Sequence, residues 1–253
     1  MAALNPEVML ALAENALKSA IAKGAAEAES YVYEGQASNV GIELGQINKT
    51  NRIIDRGVGI RVTINKAVGF AYTNIVDNQN ALESAITNAL SAAKASKPDP
   101  EWKGLPHHKI YSPQQGGFDE KVVQLGSEEM VAVASRMLDS AIQVDKRAFP
   151  IEGGVGGAYI ANAVVNSNGV TGYDHGTVVE CSLAALAKED NTVSPVCFEF
   201  NAARGLNMDP EWVGKEAARL AVSALKTKSV ESKSSKVILL SLHYGVIDQV
   251  QEG

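Results

Sequence analysis

Apolar and polar residues alternate most cleanly between Asn51 and Asn74, NRIIDRGVGIRVTINKAVGFAYTN. Gly59-Ile60-Arg61-Val62-Thr63-Ile64 and Ala67-Val68-Gly69-Phe70-Ala71-Tyr72-Thr73 each keep a period of two, and only Asn65-Lys66 separates them. That pattern, rich in β-branched and aromatic residues, predicts a tight β-hairpin. Gly57, Gly59 and Gly69 fall inside it, where a bulge or a close backbone approach is expected. Upstream, Glu29 to Glu34 and Asn39 to Leu44 also alternate, and predict two further strands of a four-stranded, mainly antiparallel sheet.

Helical spacing flanks this sheet. Asn5-Pro6 is a cap followed by a first-turn proline, and Leu10, Leu17 and Ile21 among Glu7, Glu14 and Lys18 predict a helix to about Ala22, stopping near Gly24. Asp77 is the predicted cap of a second helix from Gln79 to Ser96, with Leu82, Ala85, Ile86, Ala89, Leu90 and Ala93 along one face. A third helix is predicted from Ser127 to Val144. Its capping box is incomplete, because Met130 stands where Glu or Gln would close it, but Glu128 and Glu129 favour the first turn. The fourth starts at Asp209-Pro210-Glu211, with Val213, Ala217, Leu220, Ala221, Ala224 and Leu225 on one side.

Between the second and third helices, Lys97 to Gly126 holds clustered prolines and glycines without periodicity, and reads as a linker or an arm wrapping the surface. Beyond the third helix, strands are predicted before and after the turn Asn166-Ser167-Asn168-Gly169, then at Val178 to Lys188, Val196 to Ala203 and Val237 to Leu240. The fold class is therefore α+β: two consecutive α+β units, each with a mainly antiparallel sheet and packed helices. Domain boundaries follow at 1–96, a 97–126 linker and 127–228, with 229–253 beyond them.

The composition narrows the functions. A net charge of −6 provides no global attraction for nucleic acid, and no Lys/Arg cluster provides a local one. No apolar run is long enough to span a bilayer, and the first helix lacks the architecture of a signal peptide, so a cytoplasmic protein is expected. Cys181 and Cys197 form no CxxC pair and are expected as separate reduced thiols. In EGGVGGAYIANA the glycines Gly153, Gly154, Gly156 and Gly157 do not make GxGxxG, and no Walker lysine follows, so a bulged strand is expected rather than a phosphate site.

No catalytic, cofactor-binding or metal-binding residue is assigned. His107 and His108 are neighbours that cannot converge as an i,i+4 pair would, and His243 stands alone. Tyr173-Asp174-His175 has no nucleophile elbow beside it, and adjacent strand residues point to opposite faces. Cys181 and His175 share a face of the same strand, yet six residues of extended chain separate them by roughly 20 Å, too far for proton transfer.

Several segments carry a resemblance. GVGIRV…GFAYTN, Lys97-Pro98-Asp99-Pro100 with Gly104-Leu105-Pro106, Val165-Asn166-Ser167-Asn168-Gly169, Val213-Gly214-Lys215-Glu216-Ala217-Ala218 and Val237-Ile238-Leu239-Leu240 resemble, in order, the TldD/PmbA family, also called modulators of DNA gyrase. The resemblance implies a cytosolic metalloprotease system of two related subunits. In it the TldD-type member holds zinc through HExxxH, shortly after the segment matched by Val237–Leu240. Here that region reads Ser241-Leu242-His243-Tyr244-Gly245-Val246-Ile247-Asp248-Gln249-Val250, with neither a His-Glu pair nor a second histidine. This resembles the PmbA (TldE-like) branch, with the family's C-terminal domain missing.

The resemblance therefore implies a non-catalytic subunit, or part of one, that binds no zinc itself. It implies a zinc-bearing TldD-like partner and an unfolded peptide substrate, with a homodimer a further state of the chain. The alternative it leaves is a regulatory factor acting on DNA gyrase or its inhibitors.

Overall fold

The computed structural model describes residues 5–107, 116–229, 231, 232, 234 and 236. The expected strand at Val237 to Leu240, and His108 and His243, lie outside the described residues. The chain is α+β, as its periodicities predict, and runs α1 (Pro6–Ala22), β1 (Glu27–Glu43), β2 (Gln46–Ile64), β3 (Ala67–Thr73), α2 (Gln79–Ala95), α3 (Glu120–Val123), α4 (Ser127–Val144), β4 (Ala148–Asn166), β5 (Thr171–Glu189), β6 (Thr192–Val193), β7 (Cys197–Ala203) and α5 (Pro210–Ser223).

The hairpin forms at the residues that predict it. Ile64 pairs with Ala67, and Asn65 and Lys66 both take left-handed backbone angles, φ 51° and 63°, as a two-residue turn matching the twist of its strands requires. Gly69 is the close approach: a Cβ there would run into the backbone of Ala89 and Ala93 on α2. Asn5 caps α1 by accepting from the Val8 amide at 2.8 Å. α2 is capped by Asn78 and not by Asp77, because the Asn78 side chain reaches the amides of Asn80 (2.8 Å) and Ala81 (3.2 Å). At α4 the residue before the helix is Gly126, with no side-chain cap.

Two expectations about the first sheet are corrected. Glu29–Glu34 and Asn39–Leu44 are one strand, β1, not two, so the hairpin and β1 make three strands rather than four. The residues between them, Gly35 to Ser38, stay in register with β2 and β4, because pairing along both edges leaves no room for a turn.

That double pairing also joins the two units. β1 lies antiparallel to β4 from Glu29↔Asn166 to Glu43↔Glu152, giving one sheet in the order β3-β2-β1-β4-β5-β6, with β7 against β5. The register slips between Pro150 and Glu152, at the start of the glycine-rich run.

Among the described residues the four long helices, α1, α2, α4 and α5, all lie on one face. Even-numbered positions of β1 and odd-numbered positions of β4 and β5 point towards them. Val32, Val58, Ile60 and Ala163 pack with Met9, Ala13, Ala16, Leu82 and Ile86 of α1 and α2. Val40, Val155, Cys181 and Leu183 pack with Met130, Met137, Val213 and Ala217 of α4 and α5. The opposite face is bare, leaving Tyr31, Phe70, Tyr72, Ile160, Phe198 and Phe200 exposed.

The arm after α2 is fastened at a polar knot. Glu27, at the start of β1, accepts from Trp102 Nε1 (2.8 Å), the Leu105 amide (3.0 Å), Asn168 Nδ2 (3.2 Å) and Thr63 Oγ1 (3.4 Å). The Asn166–Gly169 turn contributes the other half. Asn166 Nδ2 donates to the Pro106 carbonyl, Asn168 Nδ2 to that of Leu105, and the Asn166 carbonyl side-chain oxygen receives the Asn168 and Val170 amides. The turn residues therefore tie the arm to both units.

Partial burial disfavours the charged form of Glu27, but the hydrogen bonds outweigh it and its pKa is lowered. The folded pKa lies below the unfolded one, so this stabilisation is complete above the unfolded value, near 4.3, and is lost as pH falls through the folded value. Glu27→Gln is expected to lower stability by about 2 kcal/mol at pH 7, with the gap to wild type closing on acidification, as read by urea unfolding at both pH values. Because β1 needs both neighbours, residues 1–96 alone are expected to give no dispersed amide NMR spectrum, whereas the whole chain unfolds in one transition.

Candidate functional site

Between the two packed cores runs a polar seam on the helix side of the sheet. Its rows come from adjacent strands: Arg56 of β2 opposite Glu34 of β1, Glu34 opposite Ala161 of β4, and Ala161 opposite His175 of β5. Glu34 is 2% exposed and receives Arg56 Nη2 at 2.7 Å and Nε at 3.0 Å. A buried carboxylate is costly without a partner, and the two-pronged guanidinium meets that need.

Alongside lies a hydroxyl chain. Tyr159 and Tyr173 hydroxyls are 3.5 Å apart, and the Tyr173 hydroxyl is 3.1 Å from His175 Nδ1. Burial pushes the Tyr159 phenol well above its ordinary value, with the Tyr173 hydrogen bond adding to it, so it stays a neutral hydroxyl.

Phe118, just before α3, closes the seam by stacking on His175 with ring centroids 4.2 Å apart and meeting Tyr159 edge-on at 6.0 Å. Thr177 locks this strap in place. Its amide donates to the Gly117 carbonyl (2.9 Å), while its hydroxyl accepts from the Asp119 amide (2.9 Å) and donates to the Arg204 carbonyl (2.6 Å).

On the bare face, where the strap meets β5, a depression of about 520 Å³ is lined by Gly117, Ile160, Asn162, Asp174, Val178 and Arg204, among others. A smaller one of about 270 Å³ sits over Gly154 and Gly156, with Asn39, Lys49, Asn51 and Glu180 at its sides. Both have small or apolar residues in the floor and polar groups at the rim, a surface suited to an extended chain more than to a compact ligand.

His175 thus packs as an aromatic partner, while Asp174 points away from it. The Asp174 side chain does return to the backbone, accepting from the His175 amide at 2.9 Å. Cys181 is buried and its thiol is pushed up to about 11 by burial, which keeps it protonated and unreactive at neutral pH. His107 is exposed. Among the described residues, no three His, Cys, Asp or Glu side chains are grouped to hold a metal ion, and no helix is long and apolar enough to cross a membrane.

The sequence reading misses the seam. Phe118 lies in the aperiodic arm, and Tyr159, Tyr173 and Glu34 look like ordinary strand residues. Only the adjacency of Glu34 and Arg56 to alternating apolar positions hints at buried charge.

Comparison with known proteins supplies the kinship. Residues 28–93 match the model of PmbA/TldA metallopeptidase domain 1, and residues 120–225 that of the PmbA/TldA metallopeptidase central domain. The chain is 24% identical to metalloprotease PmbA of Escherichia coli O157:H7 over 214 residues, 83% of this chain and 47% of that one. It is similar to the crystal structure of TldE from Thermococcus kodakarensis, with a TM-score of 0.77, 25% identity, and coverage of 81% of this chain and 46% of that one. A Thermotoga maritima protein described as a candidate modulator of a DNA gyrase shares the fold at a TM-score of 0.76 and 19% identity, over 87% of this chain and 49% of that one. The chain spans about half the length of these relatives.

If Thr177 is the fastening of the strap, Thr177→Val removes both hydroxyl bonds and leaves the Asp119 amide without its acceptor, at a cost of about 1–3 kcal/mol. Hydrogen exchange is expected to accelerate at residues 118–124 while the amides of β1 keep their protection.

Proposed function

Because the chain belongs to the PmbA/TldA metallopeptidase family, we propose that it acts as a non-catalytic, PmbA/TldE-type subunit, or as part of one, beside a zinc-bearing TldD-like protease. One observation carries this reading. The stretch Ser241 to Val250, which follows the apolar segment Val237–Leu240, contains a single histidine and no HExxxH. The two histidines of such a motif supply two of the three protein ligands a catalytic zinc takes, and its glutamate moves the proton of the bound water. His243 alone supplies neither function.

Within this reading the chain contributes shape. The strap-side depression offers an apolar floor at Ile160 and Val178 and a polar rim at Asn162, Asp174 and Arg204. An unfolded peptide laid across it meets side chains on the floor and hydrogen-bonding groups at the rim, while the buried seam beneath keeps the sheet rigid. Because the backbones of β4 and β5 already pair with each other there, recognition of a peptide on this face rests on the side chains of floor and rim. The TldD-like partner supplies the metal chemistry, polarising the peptide carbonyl and lowering the pKa of the attacking water.

Two measurements on the purified chain test this. Elemental analysis is expected to find no stoichiometric zinc, and a tagged chain is expected to retain a TldD-like protein from its own cells, with peptide cleavage seen only in the combined sample. Stoichiometric zinc, or cleavage by the chain alone, refutes the reading. Retention of DNA gyrase without a TldD-like protein would favour a regulatory role instead.

A further inference from the structure

The depression beside the strap contains a guanidinium without a counter-charge. Arg204 follows the last residue of β7 and is tied to Thr177 at both ends. Its carbonyl accepts the Thr177 hydroxyl at 2.6 Å, and its Nη1 donates to the Thr177 carbonyl at 3.3 Å. The same Nη1 lies 3.6 Å from where a Cβ on Gly176 would stand, so the guanidinium reaches over that glycine on the bare face. Its Nε and Nη2 have no partner among the described residues. Neither Asp174 nor Asp119, whose side chain adjoins Gly205, comes within ion-pair distance of it. A planar fork held by one prong, with the others open, matches the geometry of a carboxylate.

The two central strands set further groups around it. Ile160 of β4 lies opposite Gly176 of β5, and Asn162 opposite Asp174. All four occupy bare-face positions. Asn162 accepts the Tyr31 hydroxyl through Oδ1, which turns its Nδ2 to the open side, where it has no partner among the described residues. Asp174 accepts the His175 amide through Oδ1, and its Oδ2 is open. Along β5, Asp174 stands two residues from Gly176, about 7 Å by the rise of a strand. A positive and a negative group thus share one depression without pairing, with an amide donor at one side and an apolar floor between them.

We propose that this depression binds the C-terminal residue of an unfolded peptide. Arg204 and Asn162 hold its carboxylate, Asp174 accepts its backbone N–H, and its apolar side chain lies on Ile160 and Val178. This rests on the reading above that the depression holds a peptide, and adds which part of the peptide it takes. A C-terminal residue carries an anion and an N–H donor on either side of one Cα, with a side chain between them. An aspartate or glutamate inside a chain brings the same anion at the end of a flexible stem, with no donor beside it to meet Asp174. The opposed charges also fix the direction of the chain end, because a carboxylate at the Asp174 side is repelled. Thr177 holds Arg204 in place before the peptide arrives, so little side-chain freedom is lost on binding.

An NMR titration of the whole chain with a hexapeptide ending in leucine tests this. The free acid is expected to shift the amides of Gly176 and Thr177 and the Arg204 Nε–H, and the C-terminally amidated form to bind about tenfold more weakly. Added salt is expected to weaken the free acid alone. Arg204→Ala is expected to abolish the difference between the two forms while the amidated peptide keeps its affinity, which a loss of structure would not produce. The bond that fastens the strap uses the Arg204 backbone carbonyl and survives this change. Asn162→Asp, which sets a carboxylate at the donor side, is expected to weaken the free acid more than the amide. Equal affinity for acid and amide overturns the proposal but leaves the depression as a peptide site. Equal binding of an amidated peptide with an internal glutamate also overturns it, and assigns Arg204 to acidic side chains. If no peptide binds up to about 5 mM, the proposal and the peptide-holding surface both fall, whereas zinc content and partner retention decide the subunit reading separately.

Discussion

The structure depends on one strand being paired along both of its edges. β1 contributes its backbone to β2 on one side and to β4 on the other over most of its length. Each side of it alone is an incomplete sheet. Removing β4 would expose a row of unpaired amides beside Val32 and Val40, and the cost of leaving buried backbone groups without partners is what couples the two units. The two matched family segments are therefore separate stretches of sequence but share one hydrogen-bonded layer.

The arm between them has a corresponding role. Its contacts are made by a small set of polar groups: Glu27 at the root of β1, and Asn166 and Asn168 at the turn that reverses β4 into β5. All three are positions where a side chain reaches a backbone group that would otherwise have no partner. Phe118 and Gly117 then fix the far end of the arm to β5 through His175 and Thr177. An aperiodic segment is thus held at both ends by groups that belong to the sheet.

Placing every long helix on one face has a functional consequence. The helix side of the sheet is covered by two apolar cores with the Glu34–Arg56 seam between them. The bare face carries the two depressions described above, with small residues at Ala158, Gly154 and Gly156 and aromatic residues exposed nearby. The peptide-binding role proposed above is placed on that surface because its depressions lie there.

The sequence by itself determined the elements whose signal is local. The hairpin at Asn65-Lys66, the start of α1 at Asn5-Pro6, the span of α4 from Ser127 to Val144 and the start of α5 at Asp209-Pro210 all follow from periodicity and capping within a few residues. The family resemblance was legible in the same way, as short ordered motifs. The tertiary structure decided what depends on partners distant in sequence. It merged two predicted strands into β1, because Gly35 to Ser38 acquire neighbours only when β4, more than a hundred residues later, lies alongside. It moved the α2 cap from Asp77 to Asn78, where the side chain meets the amides, and it brought Phe118, Tyr159, Tyr173 and His175 into one seam. None of these is encoded in a window of sequence, since hydrogen bonding and ring packing across a sheet are set by register, and register is a property of the assembled strands.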